Sequence, residues 1–427
     1  MEPSKITINY FRKKLRQQKR RTVFMFFVGL ILGGTIVFNV YYWYPLLQKQ
    51  FDLPTVKQFG NANKPSPKKV EASTTKASTK ETTQTTEKKE KTFKPRTDVA
   101  SFTKVDPKYE ALNKQLNQTV ESFNTTGTVL AVKNNQVVLL NNYGNAAEAN
   151  NDPVNSKYML ASIQKMVTGL LVMKLIEEGK ITLNTTLSNY YPSIPNSQNI
   201  TVDQMLTMTS GLFLKEKLAD STSKEESIDY VVKNVTYQPL DKWHYSDVNF
   251  FLLAAIVEKV TNMSYEDYFA QVIGTPLNLE NTGFYDVSNV PEGMIASHKY
   301  NESGELDPKP VEFSESNVIN ELGTGNMYTS AGDLLTIIQG MLDGKIVSKK
   351  VLTDSLAQRP ASVYYDYKAG FYDKGSHYYG HGVFRSYEPT IVFSKDGNNA
   401  VVVMSNAFTE NKANVNLANQ LFTDINQ

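Results

Sequence analysis

The stretch SIQKMVTGLLVMKLIEEG, residues 162–179, decides how the rest of the chain is interpreted. Between its polar start and its acidic end the side chains are mostly apolar, and Gly179 supplies a common signal for the end of a helix. The stretch therefore predicts a largely apolar helix from Ser162 to about Glu178. A serine at its first position, with Lys165 three residues later, also makes it the first place to look for chemistry.

Extended segments are predicted on both sides of this helix, near the two ends of residues 106–427. A second helix is predicted over Val248–Val260. Two hairpins are predicted, one through Asn134-Asn135 and one through residues 396–399, and their strands are Thr128–Val132, Gln136–Leu140, 390–394 and 400–404. Strands at both ends with helices between them predict one mixed α/β (α+β) domain, residues 106–427, whose sheet is built from both termini.

The N-terminal region differs from the rest in charge and hydropathy. Residues 1–21 hold eight Lys and Arg against one Glu, so the rest of the chain is mildly acidic although the whole carries +2. Residues 22–47 contain an uncharged apolar run that ends in an aromatic cluster. This pattern predicts one transmembrane helix after a cytoplasmic basic tail, with the remainder extracytoplasmic. A cleaved signal peptide is the alternative, but no alanine occurs between residues 22 and 61 to form a cleavage site.

Residues 48–105 connect this anchor to the domain. Their Thr/Lys/Ser/Glu-rich sequence has too few large apolar residues to form a core, which predicts a disordered linker in a cell-membrane protein. Cysteine is absent, so disulfides and thiolate metal sites are excluded. The folded part carries no basic cluster of the kind that binds nucleic acid.

The pattern Ser-x-x-Lys is not informative by itself, because it starts at five serines: Ser66, Ser73, Ser101, Ser162 and Ser221. Only Ser162 opens an apolar helix. There Lys165 lies one turn away on the same face, and apolar surroundings predict a neutral amine that takes the serine proton. The Ser162 N–H could donate to an oxyanion. The alternative is that Ser162 caps the helix and Lys165 extends to solvent.

Two other clusters strengthen the catalytic interpretation. Tyr245-Ser246-Asp247 precedes the second helix, where a phenol could relay a proton; helix capping and a core tyrosine are the alternatives. Gly380-His381-Gly382 leads into the last hairpin, where glycines permit close approach to a ligand and His381 could donate, although a lone histidine by itself favours a structural role. No G-x-S-x-G, H-E-x-x-H or phosphate-binding loop occurs, so neither a metal nor a cofactor is expected.

Taken in order, Ser162-Ile-Gln-Lys165, Tyr245-Ser-Asp247 and Gly380-His381-Gly382 resemble the signatures of the penicillin-recognising serine hydrolases. The segments 200–212, 245–284 and 323–348 are similar to the class C β-lactamase-related group, which includes low-molecular-mass penicillin-binding D,D-peptidases and esterases. The resemblance implies a β-lactamase/transpeptidase-like fold, with an antiparallel sheet flanked by helices. It also implies Ser162 as the acylated nucleophile, Lys165 as the base, Tyr245 as the proton relay, and the N–H groups of Ser162 and Phe384 as the oxyanion hole.

The sequence departs from this group at four positions. Asp247 stands where many members have Asn, His381 where Lys is common, Val383 where Gly is usual, and Met208 where His is frequent. Val383 puts efficient β-lactam turnover in doubt, so a β-lactamase is the less favoured activity.

An extracytoplasmic position predicts cell-wall polymers as partners, through one of two reactions. One is D,D-carboxypeptidase action on a peptidoglycan stem peptide, whose carboxylate Arg385 would bind. The other is hydrolysis of D-alanyl esters on teichoic acid, where Asp247 would bind the ammonium and Arg385 the phosphates. A catalytically weak envelope-binding protein is the alternative from a different class.

Overall fold

The computed structural model describes residues 102–218, 220–239, 243–357, 365–409 and 411–427. The predicted basic tail, anchor and most of the predicted linker lie outside these ranges. Within them, no helix has both the length and the apolar character required to cross a bilayer. Phe102 packs into the main hydrophobic core, so the ordered domain includes residues just before Asp106.

The centre of the domain is a seven-stranded antiparallel sheet with the strand order β2-β1-β12-β11-β10-β9-β8. Two small sheets, β3-β7-β6 and β4-β5, lie outside it. The strands are β1 Gly127–Lys133, β2 Gln136–Tyr143, β3 Tyr158–Met159, β4 Leu212–Phe213, β5 Thr236–Tyr237, β6 Gly283–Phe284, β7 Met327–Thr329, β8 Tyr367–Lys368, β9 Phe371–Asp373, β10 His377–His381, β11 Glu388–Ser394 and β12 Ala400–Ser405.

Helices cover both faces of the central sheet. The α-helices are α1 Glu110–Ser122, α2 Asn145–Ala149, α3 Gln164–Glu177, α4 Val202–Leu206, α5 Lys224–Asn234, α6 Val248–Thr261, α7 Tyr265–Phe269, α8 Glu315–Ile319, α9 Ala331–Leu342, α10 Lys349–Leu356 and α11 Ala413–Ile425. The mixed α/β architecture, both hairpins and both long helices predicted from the sequence are confirmed.

Alternate residues along the strands separate the two faces. On β12, Val402 packs into the core that contains α3, α6 and α9, whereas Val401 and Val403 pack against α1 and α11. This two-residue period is that of a strand buried on both sides. Helix α3 is buried almost all round, so the position of its first turn is fixed relative to the edge of β10.

Candidate active site

Ser162 lies in a short 3₁₀ turn, Ala161–Ile163, that leads directly into α3. Ala161 has a φ of 48°, a left-handed value that is unfavourable for a residue with a Cβ and is found where the surroundings impose it. The buried Gln164 holds this turn, because its amide donates to Asn326 Oδ1 at 2.8 Å and accepts from the Met327 N–H at 2.9 Å. The N-cap residues of this turn and of α3 are Leu160 and Ile163, so the helix-cap alternative does not describe the role of Ser162.

Lys165 is buried and directed at the nucleophile. Its Nζ donates to Ser162 Oγ at 2.9 Å and to the carbonyl oxygen of Thr324 at 3.3 Å. The third neighbour of Nζ is Asp247 Oδ1, at 2.8 Å. The alternative in which Lys165 extends to solvent is therefore excluded by its position.

Tyr245 reaches the same serine from the segment before α6. It lines the same groove as Ser162, and its ring centroid lies 5.3 Å from Lys165 Nζ. Edge contacts with Trp243 and Tyr367, at centroid distances of 6.1 and 5.8 Å, hold the ring. Burial is the main cause of a raised pKa for Tyr245, so the phenol is a neutral donor at ordinary pH.

Asp247 stands at the start of α6 without capping that helix through its side chain. The loop that carries it is fastened by Met208, which has a φ of 58°. The Met208 carbonyl accepts from the His244 N–H at 3.2 Å. Its sulfur accepts from the Ser246 N–H at 3.5 Å and from Asn249 Nδ2 at 3.4 Å. Met208 therefore positions the tyrosine and the aspartate relative to α3.

The charge of Lys165 differs from the sequence-based expectation. Burial opposes the ammonium, but the negative charge available on Tyr245, Asp247 and Glu321 outweighs it, and the pKa of Lys165 is raised. Because the pKa of Tyr245 is itself raised, Asp247 is the important anion near neutral pH. The prediction that apolar surroundings keep Lys165 neutral is therefore wrong for the resting protein.

Glu321 is a member of this cluster that the sequence analysis missed. Its carboxylate accepts from Thr324 Oγ1 at 2.7 Å, and the carbonyl of the same threonine accepts from Lys165. Burial, followed by repulsion from Asp247, raises the pKa of Glu321 to about 7. The available signal was its place two residues before Gly323, where a segment that the resemblance already included begins.

Strand β10 and the turn after it form the opposite wall of the site. A Cβ at Gly382 would lie 2.6 Å from the Ser162 nitrogen, and one at Gly380 would lie 3.1 Å from Ile391 Cγ2. Real side chains do not reach the first distance, so glycine at 382 allows the strand to approach the nucleophile. This is the close approach that the Gly380-His381-Gly382 motif predicted.

Phe384 does not have the position that the resemblance implied. Its N–H donates to the Tyr387 carbonyl at 3.0 Å, just as the Gly382 N–H donates to the Pro389 carbonyl at 3.0 Å. Successive N–H groups of an extended chain point to opposite sides. The N–H of Val383, which lies between these two residues, therefore points away from Tyr387 and Pro389. Val383 lines the groove beside Ser162, so its N–H replaces that of Phe384 as the candidate oxyanion donor.

The two basic residues of this wall are occupied elsewhere. His381 lines the groove, but its Nε2 lies 3.1 Å from Oε1 of the buried Glu388, and its ring is stacked on Tyr379. The Arg385 guanidinium donates to the Glu312 carbonyl and lies 5.6 Å from the Phe313 ring. Neither side chain is therefore free to place a positive charge directly in front of Ser162.

Two hollows share Tyr245 in their linings. The acidic pocket, about 840 Å³, is lined by residues that include Tyr245 and Phe384, and its charged lining residues are four acids and two lysines: Glu216, Asp220, Asp247, Glu321, Lys215 and Lys217. The serine groove, about 520 Å³, is lined by Ser162, Tyr245, Tyr372, Lys374, Tyr379, His381, Gly382 and Val383. Among the residues that the structure describes, no group of three or more His, Asp or Glu could hold a metal ion.

Comparison with known proteins agrees with this geometry. The sequence profile of the beta-lactamase family matches residues 116–422. The chain belongs to the beta-lactamase family. Its fold, with an antiparallel sheet flanked by helices, and its serine hydrolase class are those of the family.

Two curated proteins and one solved structure are among the proteins that this chain resembles. A putative penicillin-binding protein PbpX of Bacillus subtilis is 28% identical over 74% of this chain and 79% of its own length. A teichoic acid D-alanine hydrolase of Staphylococcus aureus is 29% identical over 63% of this chain and 66% of its own length. The crystal structure of FmtA from Staphylococcus aureus superposes with a TM-score of 0.66 at 25% identity, covering 76% of this chain and 89% of that one.

Proposed function

We propose that this beta-lactamase family member is an extracytoplasmic, membrane-anchored hydrolase that removes D-alanine from cell-wall polymers, with D-alanyl esters of the teichoic acid type as its acyl donors. The observation that carries the choice of ester is Asp247. Its side chain is 61% exposed and lines the acidic pocket, and its Oδ1 lies 2.8 Å from Nζ of Lys165, which donates to Ser162 Oγ. A D-alanyl ester carries a free α-ammonium at that side, and a carboxylate complements it.

The geometry supports acyl transfer through an enzyme ester. A neutral Lys165 takes the Ser162 proton while Oγ attacks the D-alanyl carbonyl. The oxyanion is held by the N–H groups of Ser162 and Val383. When the bond to the polymer oxygen breaks, the Tyr245 phenol gives that oxygen a proton and recovers one from Lys165. Water then attacks the D-alanyl-Ser162 ester by the same proton path in reverse and releases D-alanine.

D,D-carboxypeptidase action is the second candidate, and the penicillin-binding relative supports it. Its substrate ends in a carboxylate, which requires a cation near the serine groove. Of the basic side chains described near that groove, His381 faces Glu388, Arg385 is bound to the Glu312 carbonyl, and Lys374 is paired with Asp366 at 2.6 Å. The ester with its ammonium therefore fits the described charges better than the stem peptide does.

The test is D-alanine release by the full-length protein in detergent. It is given D-alanylated lipoteichoic acid and a pentapeptide muropeptide in separate reactions, and the acyl adduct is followed by intact mass. We expect D-alanine release from the lipoteichoic acid. The rate of this release should be lower by at least about 1000-fold in Ser162→Ala. Ser221→Ala, the same change in another Ser-x-x-Lys sequence, is the matched control and should retain activity.

Each other outcome selects a rival function. Release from the pentapeptide only would identify a carboxypeptidase and overturn the ester proposal. No release and no adduct with either substrate, from a folded protein, would favour the catalytically weak binding protein. An adduct that forms with a β-lactam and hydrolyses rapidly would favour a β-lactamase.

A further inference from the structure

Asp247 occupies a position with two different environments. One carboxylate oxygen lies 2.8 Å from Nζ of Lys165, whose side chain is 1% exposed, whereas the Asp247 side chain is 61% exposed. The same carboxylate therefore contacts the buried base and is accessible to a ligand in the acidic pocket. Any cation that binds the exposed side must share this negative charge with Lys165.

The groups around Lys165 show what keeps it protonated. Asp247 faces it from the start of α6, Tyr245 from the preceding segment, and Glu321 and Thr324 from the segment between α8 and β7. Ser162, on the turn before α3, accepts one of its protons. An ammonium that donates to Ser162 cannot also take the serine proton, so the resting arrangement is inactive until Lys165 loses a proton.

We propose that Asp247 makes activation of the base depend on the charge of the substrate. An acyl donor with a free α-ammonium binds the exposed side of Asp247, and this second cation drives one proton from Lys165 to solvent. The nitrogen lone pair that this exposes takes the Ser162 proton as Oγ attacks. An N-acylated donor brings no cation and leaves Lys165 charged. This selection mechanism rests on the proposed D-alanyl esterase function and deepens it.

The expected effect is large enough to measure. A charge within about 4–6 Å changes the ratio of the two protonation states of an ionisable group by about 10- to 1000-fold. Wild-type protein should therefore acylate faster with a D-alanyl ester than with the N-acetyl-D-alanyl ester of the same alcohol by at least about tenfold. One proton should be released per ammonium ester bound by Ser162→Ala, which binds without reacting.

The deciding experiment compares wild type, Asp247→Asn and Asp247→Glu in the full chain with both esters between pH 5 and 9. Asparagine removes the charge with little change of shape, so kcat/KM for the ammonium ester should fall by about 10- to 100-fold. For the N-acetyl ester kcat/KM near neutral pH should rise, and its pH profile should move to lower pH because Lys165 has lost its counterion. Asp247→Glu should keep the wild-type preference.

A near-UV circular dichroism spectrum equal to that of wild type establishes that each variant is folded. Equal losses on both esters, with an unchanged pH profile, would overturn the inference and leave Asp247 with a role in orientation only. If Asp247→Asn does not fold, proton release by Ser162→Ala decides the question, and no release overturns the inference. Wild-type protein that cleaves only the N-acetyl ester would instead overturn the proposed function.

Discussion

The two walls of the cleft are built on different principles. The helical wall places Ser162, Lys165, Tyr245 and Asp247 at the starts of α3 and α6, and its charged groups face one another and the acidic pocket. The strand wall, Gly380–Arg385, contributes backbone, while the side chains of His381 and Arg385 contact Glu388 and the Glu312 carbonyl. One wall therefore supplies the reacting charges, and the other supplies shape and N–H groups.

This difference separates two kinds of sensitivity. On the helical wall, a change of charge alters proton positions with little effect on shape. On the strand wall, an added atom alters shape with little effect on charge. The predictions below test this division in order of decreasing expected effect.

The largest effect is expected at Gly382. Gly382→Ala places a Cβ within 2.6 Å of the Ser162 nitrogen, and that contact is with backbone that cannot rotate away. Displacing the strand by about 1 Å should reduce the acylation rate by about 100-fold. Gly380→Ala is the matched control, since its Cβ meets the methyl group of Ile391 at 3.1 Å and should cost only a few-fold. Equal activity of the two variants would show that the strand does not set the geometry of the nucleophile.

A smaller effect is expected when the charge of Glu321 is removed. Its pKa in the folded protein, about 7, is above its ordinary value of 4.5, so folding favours the protonated form. The contribution of Glu321 to the free energy of unfolding is therefore fully present below about pH 4.5, and it is lost as the pH rises through 7. Between pH 5 and 8 the stability of Glu321→Gln should therefore rise relative to that of wild type. Each 1 kcal/mol of relative stability corresponds to an increase of about 2–4 °C in Tm.

The measurement is thermal unfolding of both proteins across that pH range. Glu302→Gln removes the same charge from an exposed loop and serves as the control. If the difference in Tm between Glu321→Gln and wild type does not change with pH, the Glu321 carboxyl is ionised throughout this range. The acidic pocket would then carry its full charge at pH 5.

The smallest effect is expected at Arg385. Because its guanidinium is bound to the Glu312 carbonyl and lies over the Phe313 ring, Arg385→Ala should change kcat/KM by less than about threefold and stability by about 0.5 kcal/mol. Steady-state kinetics on D-alanylated lipoteichoic acid and on a small D-alanyl ester provide the check. A tenfold rise in KM on the polymer alone would restore the expectation that Arg385 binds its phosphates.

The same division explains what could be predicted from the sequence. Ser162 and Lys165 follow from helical spacing, because residues three apart share a face whatever surrounds them. The oxyanion donor depends on which N–H groups pair with β11, and that register is not visible in the order of residues. Similarly, the charge of Lys165 depends on Asp247 and Glu321, which are distant in sequence and meet only after folding.

The pairing of β1 with β12 has a consequence for the order in which this enzyme forms. Residues 127–132 lie beside residues 400–405, so the middle of the sheet closes only after residue 405 has been synthesised. Contacts between such distant segments are slow to form, since a long loop must be closed before they bring any gain. The serine turn therefore obtains its opposing strand late, and a nascent chain that still lacks β11 and β12 contains the nucleophile without the wall that completes its site.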